Sequence, residues 1–299
     1  MSTRKKTTTV VIIGLAVLIL LAGIFVPLFY TGTLGSQNVF VPILMYHQFS
    51  DEEPSGTNIT AGAFESQLKA LADAGYTTIS FQELCDYVYE GAPLPKKPLV
   101  ITIDDGYMHV YDTAYPLLKK YDMKATVFII GVTHGKEFYK DTTFKVIPHL
   151  GDAQVRELEE SGVLSVQSHS YDMHQYEPYE TGPARVGVLQ LEGESEEEYI
   201  RYFNEDIRLA SEQLEGITGA ELLVFSYPYG KCSELSERLL KEAGVKVTLT
   251  IVEGVNNVIR NSPESLFSLK RYNVPGDMTP EELLEKITVG TAVAESASG

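Results

Sequence analysis

The sequence predicts an α/β domain, a parallel sheet curled into a barrel from about seven strand–helix units. Two observations carry this. From Phe40 onward short β-rich runs alternate with amphipathic, helix-like stretches, and such alternation means parallel strands joined by right-handed crossovers. The unusual polar residues stand at the C-terminal ends of the apolar runs, where α/β folds collect their chemistry. At 299 residues the chain has room for one large domain or two small ones. Seven units suit a single barrel better than two separate domains.

Ahead of that domain, Val10–Tyr30 is an apolar run without a charge. Its 21 residues would rise about 31 Å as a helix, enough to cross a hydrocarbon core of about 30 Å. Arg4, Lys5 and Lys6 precede it, so the positive-inside rule expects residues 1–9 in the cytoplasm and the rest outside. A cleaved signal peptide is the rival reading, but the run is long for one and no good A-x-A site follows. Residues 31–39 read as a flexible linker, residues 40–288 as the folded domain, and the small-residue segment 289–299 as a flexible tail.

Within the domain the expected strands are Val41–His47, Thr77–Ser80, Leu99–Asp104, Ala125–Gly131, Leu164–Ser168, Leu222–Tyr227 and Val245–Ile251. The expected helices are Phe64–Ala74, Phe81–Glu90, Val110–Tyr121, Ala153–Ser161, Glu196–Leu214 and Glu234–Ala243. Ser80 and Glu83 form a capping box before the second, Ser195 caps the long acidic one, and Thr279-Pro280-Glu281 opens a last short helix.

Composition narrows the function. Hydrophobic residues at 44% and charged residues at 22% exclude wholesale disorder. The net charge is −17, and the first thirty residues hold three bases and no acid, so the remainder carries −20. Such a surface repels phosphate backbones and excludes a nucleic-acid partner. Two cysteines, Cys85 and Cys232, cannot build a disulfide framework and read as independent thiols. The acidic run Glu192–Asp206 reads as a solvated helix face, with contact to a cationic glycan as the alternative.

Three motifs carry chemistry. LVITI runs into Asp104-Asp105-Gly106; alone this reads equally well as a turn, but paired carboxylates can also divide into a metal ligand and a free base. Ser168-His169-Ser170-Tyr171-Asp172-Met173-His174 holds two histidines five residues apart. On a helix they would diverge by about 140°, whereas on a loop after a strand they can converge. One carboxylate and two imidazoles make a three-ligand site with a position left for water, the composition of a hydrolytic metal centre. Third, Phe225-Ser226-Tyr227-Pro228-Tyr229-Gly230 ends an apolar strand in a stiff turn, able to aim a backbone N–H at an oxyanion and an aromatic face at a sugar. Tyr227 and Pro228 are its candidate substrate contacts.

TIDDG, the H-S-x-x-x-H loop and the YPYG turn, in that order, resemble the polysaccharide deacetylases of carbohydrate esterase family 4, the NodB-homology domain. The resemblance covers roughly Val41 to Val274. It implies a distorted (β/α)7-type barrel that removes N- or O-linked acetyl groups from cell-wall and surface polysaccharides with one divalent metal, zinc first, with cobalt or nickel as alternatives. Carried over, Asp104 matches the catalytic base. Asp105, His169 and His174 match the metal ligands, and Tyr229 the residue whose backbone N–H holds the oxyanion. The five-residue histidine spacing resembles the branch containing poly-N-acetylglucosamine deacetylases.

Two departures stand out. The third motif usually begins with Arg, where this chain has Ser226, and a late His that serves relatives as general acid is absent, the last motif reading Leu269-Lys270-Arg271-Tyr272. His47, in a Met-Tyr-His ending the first strand, is the replacement acid expected here, with a supporting hydrogen-bonded role as the alternative. Arg271 is a candidate for orienting Asp104. His109, His134 and His149 read as ordinary surface or helix residues. The expected function is metal-dependent N-deacetylation of N-acetylglucosamine residues in an extracellular or cell-wall polysaccharide. An O-acetyl esterase and a non-catalytic glycan-binding protein of the same fold are the alternatives.

Overall fold

The computed structural model describes residues 38–298. The expected segments 1–9 and 10–30, and all but the end of the linker, lie outside the described residues. Among the described residues no helix is long and apolar enough to cross a membrane.

After β1 (Asn38–Val41), the sheet is built from β2 (Ile43–Tyr46), β5 (Thr77–Thr78), β6 (Pro98–Ile103), β7 (Ala125–Ile129), β8 (Leu164–Ser168), β9 (Val224–Ser226), β10 (Val247–Leu249) and β12 (Tyr272–Asn273). β3 (Gln48–Phe49), β4 (Asn58–Ile59) and β11 (Asn256–Ile259) stand outside it. Its order is β10-β9-β8-β7-β6-β2-β12, with β5 paired to the start of β6, and its pairs are parallel. All residues of β2, β6 and β7 are buried, as continuous apolar runs require when helices cover a parallel sheet.

The two edges meet at one segment. Leu269 forms a single parallel bridge to Leu249, with its N–H donating to the Thr248 carbonyl at 2.8 Å and its carbonyl accepting from Thr250 N–H at 2.9 Å. Three and four residues later, Tyr272 and Asn273 pair with Leu44 and Met45. The architecture is therefore a parallel α/β half-barrel whose opening is spanned by residues 269–273. Sequence pattern does not give this segment as a strand, because Lys270 and Arg271 interrupt its apolar character.

The helices are α1 (Ala61–Asp73), α2 (Phe81–Tyr89), α3 (Tyr115–Lys120), α4 (Asp152–Ser161), α5 (Glu196–Thr218), α6 (Glu234–Glu242) and α7 (Pro280–Ser298). α1 starts earlier than its apolar pattern because Thr60 caps it, accepting from Ala63 N–H at 3.3 Å. Capping boxes at Ser80–Glu83 and Ser195–Glu198 fix the starts of α2 and α5. α5 runs on past Leu214 to Gly219, whose φ of 74° supplies the left-handed cap. The expected helix from Val110 opens with a π-helical turn, Val110–Ala114, before α3.

The end of the chain corrects the expectation of a flexible tail from residue 289, since α7 continues to Ser298. Thr279 and Glu282 cap its start reciprocally, and after Gly290 nothing breaks the helix before Gly299. Gly290 also lies so close to the Tyr272 hydroxyl that a Cβ would collide with it.

One contact in the fold bears directly on the loop after β8. Gly131, at the end of β7, donates its N–H to the Ser170 carbonyl at 3.0 Å, and Val132 N–H donates to the Tyr171 carbonyl at 2.9 Å. A Cβ on Gly131 would stand 2.8 Å from Tyr171 Cα, a backbone that cannot swing aside as a side chain could. Gly131→Ala should cost about 1–3 kcal/mol through overpacking. Thermal unfolding should show it as a drop of several degrees in Tm.

Candidate active site

Four strand ends, the loop after β8, the turn after β9 and the closing segment supply the site. β6 delivers Asp104 and Asp105, β8 delivers His169, the loop after it His174, β9 and its turn Ser226 and Tyr229, β2 His47, and the closing segment Arg271. Three of these turns hold non-glycine residues in the left-handed region: Asp105 at φ 71°, Ser170 at 72° and Tyr229 at 56°. Such conformations cost of order 1–3 kcal/mol each and persist where surrounding contacts over-determine them.

Asp104 is held by the fully buried Arg271. Nη1 donates to Oδ1 at 2.7 Å and Nη2 to Oδ2 at 2.8 Å, while Nε donates to the Thr250 carbonyl at 2.9 Å and Nη1 also to Thr102 Oγ1 at 3.2 Å. Ser226 Oγ lies 3.4 Å from Asp104 Oδ2. Burial alone would raise the Asp104 pKa, but the Arg271 charge, with His169 behind it, holds it well below the usual carboxylate range. Arg271 reaches Asp104 from the closing segment, while the third motif has Ser226 in place of Arg.

Asp105, His169 and His174 present ligand atoms that all lie within 4.8 Å of one another. Asp105 Oδ1 is 3.7 Å from His169 Nε2 and 3.5 Å from His174 Nε2. It is also buried without a hydrogen-bond partner, an arrangement that protein interiors avoid unless something else satisfies the oxygen. His169 Nδ1–H donates to the Ser226 carbonyl at 2.7 Å, which leaves Nε2 with its lone pair facing Asp105. Burial is the main force pushing His169 down to about 4, so it is the neutral imidazole a cation needs. Desolvation works against ionised Asp105 too, yet His174, His47 and His169 draw its pKa down. One hard oxygen and two imidazole nitrogens fit a divalent cation of the zinc type with an open position.

Tyr229 stacks on His174, ring centroids 4.2 Å apart, and its hydroxyl donates to the Gln175 carbonyl at 3.3 Å. The turn's own hydrogen bonds run from Gly230 N–H to the Tyr227 carbonyl and from Lys231 N–H to the Pro228 carbonyl, so the Tyr229 amide takes no part in them. His47 is half-buried, its Nδ1 lacks a hydrogen-bond partner, and its charge acts on both Asp104 and Asp105.

Two expectations need correction. Tyr227 and Pro228 do not face a ligand: Tyr227 is 0% exposed with its hydroxyl donating to Glu237, and Pro228 is buried. The tight turn after β9, with Tyr229 in the left-handed region at φ 56°, breaks the strand's alternation, so Tyr227 points inward and Tyr229 is the outward ring. His134 and His149 are buried, not superficial. Residues 148–150 fold back onto the strand end, Met108 N–H donating to the Pro148 carbonyl and Leu150 N–H to the Gly106 carbonyl. His149 packs against Tyr107 at 4.9 Å, and His134 meets Asp152 at 3.0 Å. His109 is half-buried ahead of the π-helical turn, and Cys85 and Cys232 are free thiols.

Sequence reading missed Asp206. It closes the acidic run taken as a solvated face, yet it is 3% exposed and accepts from Tyr171 N–H at 2.9 Å and Asp172 N–H at 2.6 Å. Those amides lie in the loop between His169 and His174. The signal was legible: Asp206 falls on the apolar stripe Tyr199, Phe203, Ala210, Leu214 of α5, where a solvated charge does not belong.

A parallel α/β sheet with a carboxylate pair, two histidines and a backbone donor gathered at its strand ends has the composition of a hydrolase site, with Asp105, His169 and His174 as a candidate metal-binding set. The sequence profile of the polysaccharide deacetylase family matches residues 91–248, more than half of the chain, and the chain belongs to that family. Among its relatives, YxkH of Bacillus subtilis is 27% identical over 80% of this chain and 73% of its own. The poly-beta-1,6-N-acetyl-D-glucosamine N-deacetylase of Staphylococcus aureus is 25% identical over 72% of this chain and 68% of its own. In fold, the chain is similar to a de-N-acetylase from Aggregatibacter actinomycetemcomitans, with a TM-score of 0.70, 21% identity, and coverage of 83% of this chain and 100% of that one.

Burial pushes the Asp206 pKa up to about 7 despite its two backbone donors. An acid whose folded pKa exceeds its unfolded value of about 4 binds extra protons when folded, so it lowers stability as pH rises between those values. Asp206→Asn cannot ionise and should gain on the parent as pH rises. The Tm difference, parent minus variant, should therefore be larger at pH 5 than at pH 8, read by thermal unfolding at both.

Proposed function

We propose that this protein is a metal-dependent N-deacetylase acting on N-acetylglucosamine residues of an extracellular or cell-wall polysaccharide, peptidoglycan or poly-N-acetylglucosamine. The observation that carries the reading is the gathering of Asp104, clamped and ionised, beside the ligand set Asp105, His169 and His174. The named Staphylococcus aureus relative supports the N-acetyl substrate.

In this reading Asp105, His169 and His174 hold one divalent ion, zinc being the best match to the donors. Such an ion supplies an acidified water and a polarised acetyl carbonyl. Asp104 accepts the proton of the attacking water, and Arg271 keeps its carboxylate charged and fixed in direction for that transfer. The Tyr229 N–H, free of the turn's own bonding, receives the developing oxyanion. His47 donates a proton to the departing amine, which amide cleavage requires. Val10–Tyr30, with Arg4, Lys5 and Lys6 ahead of it, is proposed as an uncleaved anchor that holds residues 40–288 outside the membrane, facing such a polymer.

Asp104→Asn should keep metal binding and lose acetate release from poly-N-acetylglucosamine by about 10²-fold or more. His174→Ala should lose the metal itself, read by metal content of the purified protein. Survival of activity within a few-fold in the Asn variant would remove Asp104 as base.

His47→Ala should bind metal normally and lose about 10²–10⁴-fold on the amide, the range for general-acid catalysis. An aryl acetate, whose leaving group needs no proton, should suffer far less. Equal losses on both substrates would reassign His47 to support.

A further inference from the structure

Beside the site stands a group of aromatic side chains, three of them joined ring to ring. Tyr229, stacked on His174, reaches with its hydroxyl to the carbonyl of Gln175, the residue before Tyr176. Tyr176, 54% exposed, packs edge-on against Tyr179 at 4.9 Å. Tyr179 in turn lies stacked on Phe144, 45% exposed, with centroids 4.5 Å apart. Phe138, also exposed, stands across the same hairpin, which is closed by a bridge between Phe138 and Lys145.

This surface is fixed in place. Lys140, half-buried in the hairpin, pairs with Asp172 at 2.8 Å and with Glu180 at 2.6 Å, and the Tyr139 hydroxyl donates to Glu180. Asp172 belongs to the loop between the two histidines, so the ion pairs lock the rings to the site. Held in contact with one another beside the site, these rings form a contiguous apolar face rather than scattered exposed residues.

We propose that Tyr229, Tyr176, Tyr179 and Phe144 form a stacking platform for the sugar residues that flank the one being deacetylated. This rests on the polysaccharide reading above. A pyranose has an apolar C–H face and a hydroxyl rim, matching an aromatic face edged by polar groups. A polymer with its acetyl group at Asp104 and Tyr229 must also run outward over neighbouring residues, and on this side those are the rings. A bilayer fits less well: Asp141 and Glu177 are exposed among the rings, and the chain beyond residue 30 carries −20, which repels anionic lipid.

The test is the double variant Tyr176→Ala, Phe144→Ala in the full chain, purified in detergent, with metal content and Tm compared with the parent. Soluble poly-N-acetylglucosamine in a native gel should retard the parent, and the variant should bind about tenfold more weakly. KM for the polymer should rise by a similar factor with kcat within about twofold, while aryl acetate hydrolysis stays unchanged. Retardation equal in parent and variant, or absent in the parent, overturns the platform. So does quenching by brominated lipid in nanodiscs of a Tyr176→Trp variant, read at the tryptophan emission the parent sequence lacks, with polymer binding unaltered, which would assign the rings to the bilayer. Retardation lost in the variant while the parent releases no acetate from any polymer would sink the deacetylase reading and leave the platform standing.

Discussion

The clamp between Arg271 and Asp104 is the constraint on which the rest of the interior is arranged. Both groups are withdrawn from water, 0% and 2% exposed, and a buried carboxylate without its partner costs about 3–5 kcal/mol. Every guanidinium nitrogen therefore has an acceptor: Nη1 and Nη2 bond Asp104, Nη1 also bonds Thr102, and Nε bonds the Thr250 carbonyl. The fork geometry of arginine fixes the carboxylate plane as well as its charge. That is why β6, β10 and the closing segment must keep their register.

Around this clamp the polar groups divide by what neighbours do to them. Asp104 is ionised because a cation touches it, and His169 is neutral because burial outweighs the carboxylates nearby. The loop from His169 to His174 is braced at its middle by Asp206 and at its start by the end of β7. A five-residue spacing leaves the second histidine free to wander unless the intervening backbone is pinned. Here it is pinned by residues distant in sequence.

Much of this was legible beforehand, for a physical reason. Short β-branched apolar runs such as Leu99–Ile103 read as buried strands. Although each polar motif at a strand end could be an ordinary turn, a carboxylate pair and two histidines at such ends together read as one site, so Asp104, Asp105, His169 and His174 emerged together. Residues whose role depends on tertiary folding did not. Tyr227 and Tyr229 differ by two positions and look alike, yet the tight turn after β9 sends one into the core and the other outward. His149 is buried because a distant segment folds back, which no local pattern records. Residues 269–273 pair with both edges through too few residues to leave a strand signature, and the close approach of Gly290 in α7 to Tyr272 is a tertiary contact that no local pattern records.

That short closing segment has a mechanical meaning. One bridge to β10 and two paired residues on β2 are a weak seam by backbone hydrogen bonding alone. Arg271 sits between them, so opening the seam would withdraw the guanidinium and strand a buried charge. The latch is therefore electrostatic. Since the folded pKa of Asp104 lies below its unfolded value, the latch is fully set above the ordinary carboxylate range, about pH 4, and slackens only as pH falls through the depressed folded value. A half-barrel that would otherwise gape is held shut by the same ion pair that readies its base.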